Sequence, residues 1–183
     1  MPPIIEAKGQ IHESEKKMLI RLETETDIQT ISDITIQAFK AIQISNKTEQ
    51  HIVNALRREN ALSISLVAEI EEKVVGHVAF SPVEISDGST GWFGLGPVSV
   101  LPKFQRQGVG TALIEKGLSI LKEMRGNGCV LVGDPDFYSR FGFKNCPQLV
   151  LEDVPQTFFL ALPFGDDLPT GSVQFHKGFW ATQ

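Results

Sequence analysis

With 183 residues, 42% of them apolar and 21% charged, the chain has the balance of an ordinary globular protein, with room for one sizeable core and too little length for two. Its net charge of −5 argues against nucleic acid as the main partner, because phosphate-backbone binding needs a basic face. No apolar run approaches the ~20 residues that span a bilayer, and Met1-Pro2-Pro3-Ile4-Ile5 runs at once into charged residues, unlike a secretion signal. The expectation is a cytoplasmic protein, away from membranes, with Cys129 and Cys146 reduced. Two cysteines so spaced do not suit a tetrahedral zinc site, and no metal is expected.

Residues 1–17 are polar and without period, an expected loose arm before a single domain over 18–183. Met18 to Leu22 reads as a strand. Thr26 or Asp27 is placed to cap a helix through Ile28, Ile31, Ile34, Ala38 and Phe39. A second helix covers Thr48 to Arg57, with Ile52, Val53 and Leu56 inward. The period then shortens. Ser63 to Ile70 and Val74 to Ile85 form a strand pair around the polar turn Glu71-Glu72-Lys73.

Trp92 to Leu101 is the next strand, interrupted by Gly94, Gly96 and Pro97, which suggest a bulge or an opening of the sheet. The helix after it places Val109, Ala112, Leu113, Ile120, Leu121 and Met124 on one face and ends at Gly126-Asn127-Gly128. Cys129 to Gly133 reads as a buried strand and Asp134 to Phe141 as a short helix closed by Gly142. Leu149 to Leu151 and Thr157 to Leu162 are candidates to pair, and Ser172 to Phe175 is the last strand. The whole is mixed α/β (an α+β arrangement on a mixed sheet), with core motifs over 92–143 and C-terminal strands within 148–180.

The segment Gln105-Arg106-Gln107-Gly108-Val109-Gly110-Thr111 lies between a strand and the clearest helix. Main-chain N–H groups at a helix start have no internal partner and carry the positive end of the dipole. Glycines there leave those donors uncovered, which makes a phosphate cradle; a plain tight turn is the competing reading. The pattern lacks the third glycine and downstream acid of a dinucleotide fingerprint and the Gly-Lys-Ser/Thr of a P-loop. No carboxylate occurs between Asp87 and Glu115, whereas Lys103 and Arg106 do. Each of these cations suits either a phosphate or plain solvent.

Val98-Ser99-Val100-Leu101-Pro102 followed by Gln105-x-x-Gly108-x-Gly110 resembles the acyl-CoA motif of the GNAT superfamily of N-acetyltransferases. Phe137-Tyr138-Ser139-Arg140-Phe141-Gly142-Phe143 resembles that superfamily's F-Y-x-x-x-G-F segment. The runs VGHVAFSPV, LGPVSVLP and GDPDFYSRFGF resemble its bacterial YhbS-like subgroup in particular.

The resemblance implies a GNAT-like fold with a mostly antiparallel mixed sheet. Its strand with Val98, Ser99 and Val100 splays from Cys129 to Gly133, coenzyme A lies in the gap against these three residues, and backbone N–H around Ser99 and Val100 polarises the thioester carbonyl. It also implies that backbone amides of Gln105, Arg106, Gln107, Gly108, Val109, Gly110 and Thr111 hold the diphosphate. Acetyl-CoA would be the co-substrate, and the acetyl group would pass directly to a primary amine, in a small molecule or a peptide. A CoA-binding module without catalysis is the alternative. Many relatives pair, so a homodimer is among the implied arrangements.

Tyr138, the single tyrosine beside twelve phenylalanines, would serve as general acid to the leaving thiolate. The competing reading is a half-buried aromatic. Two departures stand out. Asp134 occupies a stretch where many members carry asparagine, and Trp92 to Leu101 has no carboxylate to act as base. Glu69, His77 and Glu84 lie on neighbouring strands, none assigned. The N-terminal helices and C-terminal strands would wall the acceptor site, with Phe39, Trp92, Phe158, Phe175, Phe179 and Trp180 equally suited to the core.

Overall fold

The computed structural model describes residues 17–43 and 45–182, so the arm expected over 1–17 lies outside the described residues apart from Lys17. In chain order the elements are β1 (Met18–Leu22), α1 (Ile28–Phe39), α2 (Glu49–Arg58), β2 (Ile64–Ile70), β3 (Lys73–Ile85), β4 (Trp92–Val100), α3 (Val109–Glu123) and β5 (Gly128–Val132). A four-residue α4 (Pro135–Tyr138), β6 (Lys144–Asn145), β7 (Leu149–Val150), β8 (Phe159–Pro163) and β9 (Gly171–Phe175) complete the order.

The main path of the sheet runs β1-β2-β3-β4-β5-β8-β6, with β9 attached to the far end of β3 and β7 attached to β9. Its pairings are antiparallel except β4 with β5 and β7 with β9. Helices cover both faces, and adjacent residues of β2 show how. Leu66 points into a core with Phe80, Leu113, Ile114 and Leu121, beneath α3. Its neighbour Val67 points the other way, against Ile31 of α1 and Val53 of α2. A strand buried on both faces needs an apolar run rather than alternation, which is what Ile-Ser-Leu-Val-Ala supplies. A second core, with Trp92, Val130, Phe159, Val173 and Phe175, fills the other end of the sheet.

Local departures from the sequence reading have physical causes. The buried face of α3 is Val109, Leu113, Ile114, Gly117, Leu118 and Leu121, while Met124 is 52% exposed. The left-handed residue after α3 is Arg125, φ 59°, and not a glycine. Gly126 N–H donates back to Leu121 O at 2.9 Å and Arg125 N–H to Lys122 O at 3.0 Å, a Schellman closure in which Gly126 is the second residue out. The turn between β2 and β3 uses Glu71 and Glu72, both with positive φ, the hand that matches strand twist. Finally, β7 pairs with β9, and β8 pairs with β5 and β6, so the expected pairing of these two segments with each other does not form. A two-residue strand carries too little alternation to specify its partner.

Candidate active site

β4 and β5 run side by side only briefly. Trp92, Phe93 and Gly94 pair with Gly128, Cys129 and Val130, and pairing then stops. Just past that point β4 carries one extra residue against β3: Val78 faces Val98 and Phe80 faces Leu95, so Gly96-Pro97 forms a bulge. A bulge bends its own strand, and here it accompanies the departure of β4 from β5. Leu101 N–H donates to Val75 O on the β3 side at 2.9 Å. Because strand residues alternate, Ser99 also turns its main chain to β3, while Val98 and Val100 turn theirs to the opened gap. Gln105 Nε2 reaches Val100 O at 3.0 Å, consistent with that direction. Ser99 is fully buried, and its hydroxyl donates to Thr35 Oγ1 at 3.2 Å.

The glycine turn sits beside the gap. Gln105 and Gln107 spend their side chains on Val100 O and Lys103 O, the latter at 2.8 Å, which pins the loop. Gly108 has φ 83°, a left-handed conformation that side chains rarely adopt, and a Cβ there would meet nothing within 4 Å. At Gly110 a Cβ would find only Val100 Cγ2, at 3.8 Å. The protein's own packing therefore leaves the space in front of both glycines open. Ala112 N–H is the first that returns to the helix, to Gly108 O at 2.9 Å. Val109 opens α3 with its side chain buried in the core, leaving only its main chain to the turn.

Two hollows meet at this place. One, about 540 Å³, is bounded by the turn (Gln105, Arg106, Gly108, Gly110, Thr111), by Val98 and Val100, and by Tyr138 and Arg140. Among the described residues its charged lining is Arg106 and Arg140, with no carboxylate. The other, about 580 Å³, lies between the α1–α2 region, β4 and the C-terminal segment, and Glu49 is its one charged lining residue among those described. Phe39, Val98 and Tyr138 line both. A further hollow of about 610 Å³ behind α4, bounded by Pro135, Phe143 and Gln156, touches neither.

Tyr138 is held by aromatic neighbours. Its ring meets Phe137 edge-on at 4.9 Å and Phe143 at 6.1 Å between centroids. The hydroxyl makes no hydrogen bond among the described residues. Burial, with a smaller contribution from Cys129, pushes its pKa up to about 12. α4 that carries it is started by Asp134, whose Oδ1 accepts Asp136 N–H at 2.9 Å, so this carboxylate serves as helix cap.

The carboxylates and imidazole weighed as bases are elsewhere. Glu69 Oε2 accepts from Arg21 Nε at 2.9 Å on the β1–β2 side, and Glu84 is on β3 opposite Gln174. His77 is fully buried with Nε2 2.7 Å from Ser65 Oγ, and burial takes its pKa down to about 4. None of the three lines either hollow. Phe39, Phe175, Phe179 and Trp180 do line the second hollow, whereas Trp92 is core and Phe158 is exposed at 47%. Sequence reasoning passed over Arg140 and Glu49. Arg140 stacks its guanidinium on Phe137 at 4.6 Å, and only the fold turns it toward the turn's hollow.

Residues 61–145, which include the strand opening, the glycine turn and Tyr138, match the acetyltransferase (GNAT) domain. The chain belongs to the GNAT family of acetyltransferases. It is 34% identical over 173 residues to the uncharacterized N-acetyltransferase YhbS of Escherichia coli, covering 88% of this chain and 98% of that protein. Among solved structures, a GNAT family acetyltransferase from Brucella melitensis in complex with acetyl-CoA is 45% identical with a TM-score of 0.80, over 90% of this chain and 99% of that one. The structure of Escherichia coli YhbS in complex with CoA gives a TM-score of 0.84 at 31% identity, over 92% and 94% of the two chains. Among the described residues no group of three or more His, Cys, Asp or Glu is gathered as a metal site, and no helix is long and apolar enough to cross a membrane.

Proposed function

We propose that residues 18–183 act as one catalytic domain that transfers an acetyl group from acetyl-CoA directly to a primary amine. The observation that carries this reading is the junction of two hollows of opposite character at Val98 and Tyr138. The hollow with Arg106, Arg140 and the uncovered helix start suits a polyanion, and the one with Glu49 suits a cation. Relatives in complex with acetyl-CoA and with CoA support the choice of polyanion.

In this reading the main-chain N–H groups from Arg106 to Thr111 hold the diphosphate, since the Gln105 N–H already donates to Pro102 O at 3.3 Å, and Gly108 and Gly110 keep side chains out of its way. Val98 and Val100 offer main-chain groups to the pantetheine arm and to the thioester carbonyl oxygen, where a fixed donor is worth most as negative charge develops. Acetyl-CoA supplies an acetyl group already activated as a thioester. The residues around it supply position, the largest contribution available when two reactants must meet. Tyr138 hydroxyl donates to the departing sulfur. With a pKa near 12, against ~8.5 for a thiol, the phenol is always protonated at neutral pH. It holds its proton more tightly than the thiol does, so its part is a hydrogen bond to the thiolate rather than complete transfer. We place the reaction in the cytoplasm, where free thiols such as Cys129 and Cys146 persist.

Incubation with acetyl-CoA and a panel of primary amines, followed by titration of free thiol, tests the proposal. Amine-dependent thiol release is expected. Binding of CoA without release under any amine would leave only a CoA-binding module.

A further inference from the structure

The geometry points to Glu49 as the residue that receives the acceptor amine, and to a compact monoamine with an apolar or aromatic body as the acceptor class; the inference rests on the acetyl-transfer reading above. Glu49 stands in the first turn of α2. One of its carboxylate oxygens, Oε1, accepts from the Ser45 hydroxyl. The other, Oε2, is buried and has no hydrogen-bond partner among the described residues. A buried carboxylate oxygen has given up its hydration, and buried polar atoms are ordinarily paired, so an unpaired one on a side chain that lines a cavity calls for a donor. Glu49 itself lines the 580 Å³ hollow that shares Tyr138 and Val98 with the cofactor side, and a turn of its side chain brings Oε2 to a donor held there.

The remaining lining narrows the class of donor. No second charge of either sign lines this hollow among the described residues. A polyamine would bring a second cation with no partner, and an amino acid would bring a carboxylate facing Glu49 without a cation to meet it. The walls are Phe39, Ile52, Phe175, Phe179 and Trp180, which offer apolar area to the body of the ligand and ring faces to its ammonium. The volume is that of a small-molecule site.

The chemistry balances without a further reagent. The bound ammonium first loses one proton to solvent, leaving a neutral amine that donates one N–H to Glu49 Oε2 and directs its lone pair at the thioester carbon. As the C–N bond forms, the nitrogen becomes acidic; its N–H bond breaks and the proton passes to Glu49 Oε2. The C–S bond breaks with both electrons on sulfur, where the Tyr138 hydroxyl donates. Glu49 then returns the proton to solvent.

The test pairs kinetics with direct binding, using 2-phenylethylamine as probe and spermidine and L-phenylalanine as comparators. Glu49→Gln is expected to lower kcat/KM for 2-phenylethylamine by about 100-fold or more, the range of a lost general base. CoA affinity should stay within about twofold, and the melting temperature should fall only slightly, because glutamine keeps an acceptor for the Ser45 hydroxyl and gives up only the charge at the start of α2. Spermidine and L-phenylalanine should be at least about tenfold poorer substrates of the wild type, the effect of one unpaired buried charge. Wild-type kcat/KM in Glu49→Gln, or spermidine equal to 2-phenylethylamine, overturns the inference. Calorimetric titration of 2-phenylethylamine into the CoA-saturated protein separates this from acetyl transfer itself. If the wild type turns over no amine, binding that Glu49→Gln abolishes still supports the assignment, and binding that is equal in both proteins or absent from both rejects it.

Discussion

Gly133 and Tyr138 are so close that no side chain fits between them: a Cβ on Gly133 would stand 2.4 Å from Cε2 of the Tyr138 ring. β5 ends at Val132 and α4 begins at Pro135, so the residue just past the strand sets where the phenol lies. Gly133→Ala must push the ring aside, and because the Phe137 and Phe143 rings hold it from other sides, the hydroxyl moves as well. A displacement of about 1 Å at a reacting centre costs as much as about 100-fold in rate. Gly133→Ala is therefore expected to reduce kcat by one to two orders of magnitude with little change in CoA affinity. Steady-state kinetics beside a CoA titration checks this, and unchanged kcat would detach the ring position from catalysis.

Tyr138→Phe removes one hydroxyl that contributes no hydrogen bond to the fold, so its melting temperature should match wild type. Loss of a single aimed donor costs about 100-fold in kcat, and that is the expected size. The pH profile carries a second signature. Burial raises the phenol to about 12, so its neutral, donating form persists as pH rises and is lost only near pH 12. The rate should show no fall attributable to Tyr138 between pH 9 and 10.5, where an ordinary phenol, pKa ~10, would already be losing its proton. A decline in that range that is absent from Tyr138→Phe would contradict the assignment.

His77 gives the fold a pH dependence of its own. Its folded pKa, about 4 through burial, lies below the ~6.5 of an unfolded histidine. Between these values the unfolded chain binds a proton that the folded chain refuses, so stability is fully present above pH 6.5 and declines as pH falls toward 4. The loss is on the order of 3 kcal/mol. Asp27, held down to about 2 by its hydrogen bond from Arg21, titrates below this window and does not account for it. Urea denaturation across pH 7 to 4.5 measures the effect; a flat midpoint would mean that His77 is protonated in the folded state.

Much of this arrangement is legible in the residues themselves, and the exceptions share a cause. α3, β2, β3 and the glycine turn each carry their signal within a few residues: a helical stripe, an apolar run, two glycines at a helix start. Met124 continues the helical stripe on paper as an apolar residue at the end of α3, whereas the chain there is already turning through Arg125 and leaves it exposed. Leu149 and Val150 gave no hint of β9 as their partner, since pairing of so short a strand is decided by what surrounds it. Glu49 was passed over for a similar reason. An acid in the first turn of a helix is unremarkable in sequence, because it suits the dipole. Its significance comes from the burial of one oxygen beside a cavity whose other walls arrive from β4 and the C-terminal segment.

The claim on which the account depends is that the main chain at residues 106–111 grips the diphosphate of coenzyme A. Calorimetric titration of CoA into wild type and Gly110→Ala tests it most directly, because the alanine Cβ would meet only Val100 Cγ2, at 3.8 Å, and alanine favours a helix by up to about 1 kcal/mol over glycine. The account predicts micromolar-range binding by wild type, and a variant that melts no lower yet binds CoA about tenfold more weakly, the cost of intruding on a charge-assisted phosphate contact. Absence of heat with wild type at millimolar CoA, or equal affinity in the two proteins, would contradict it.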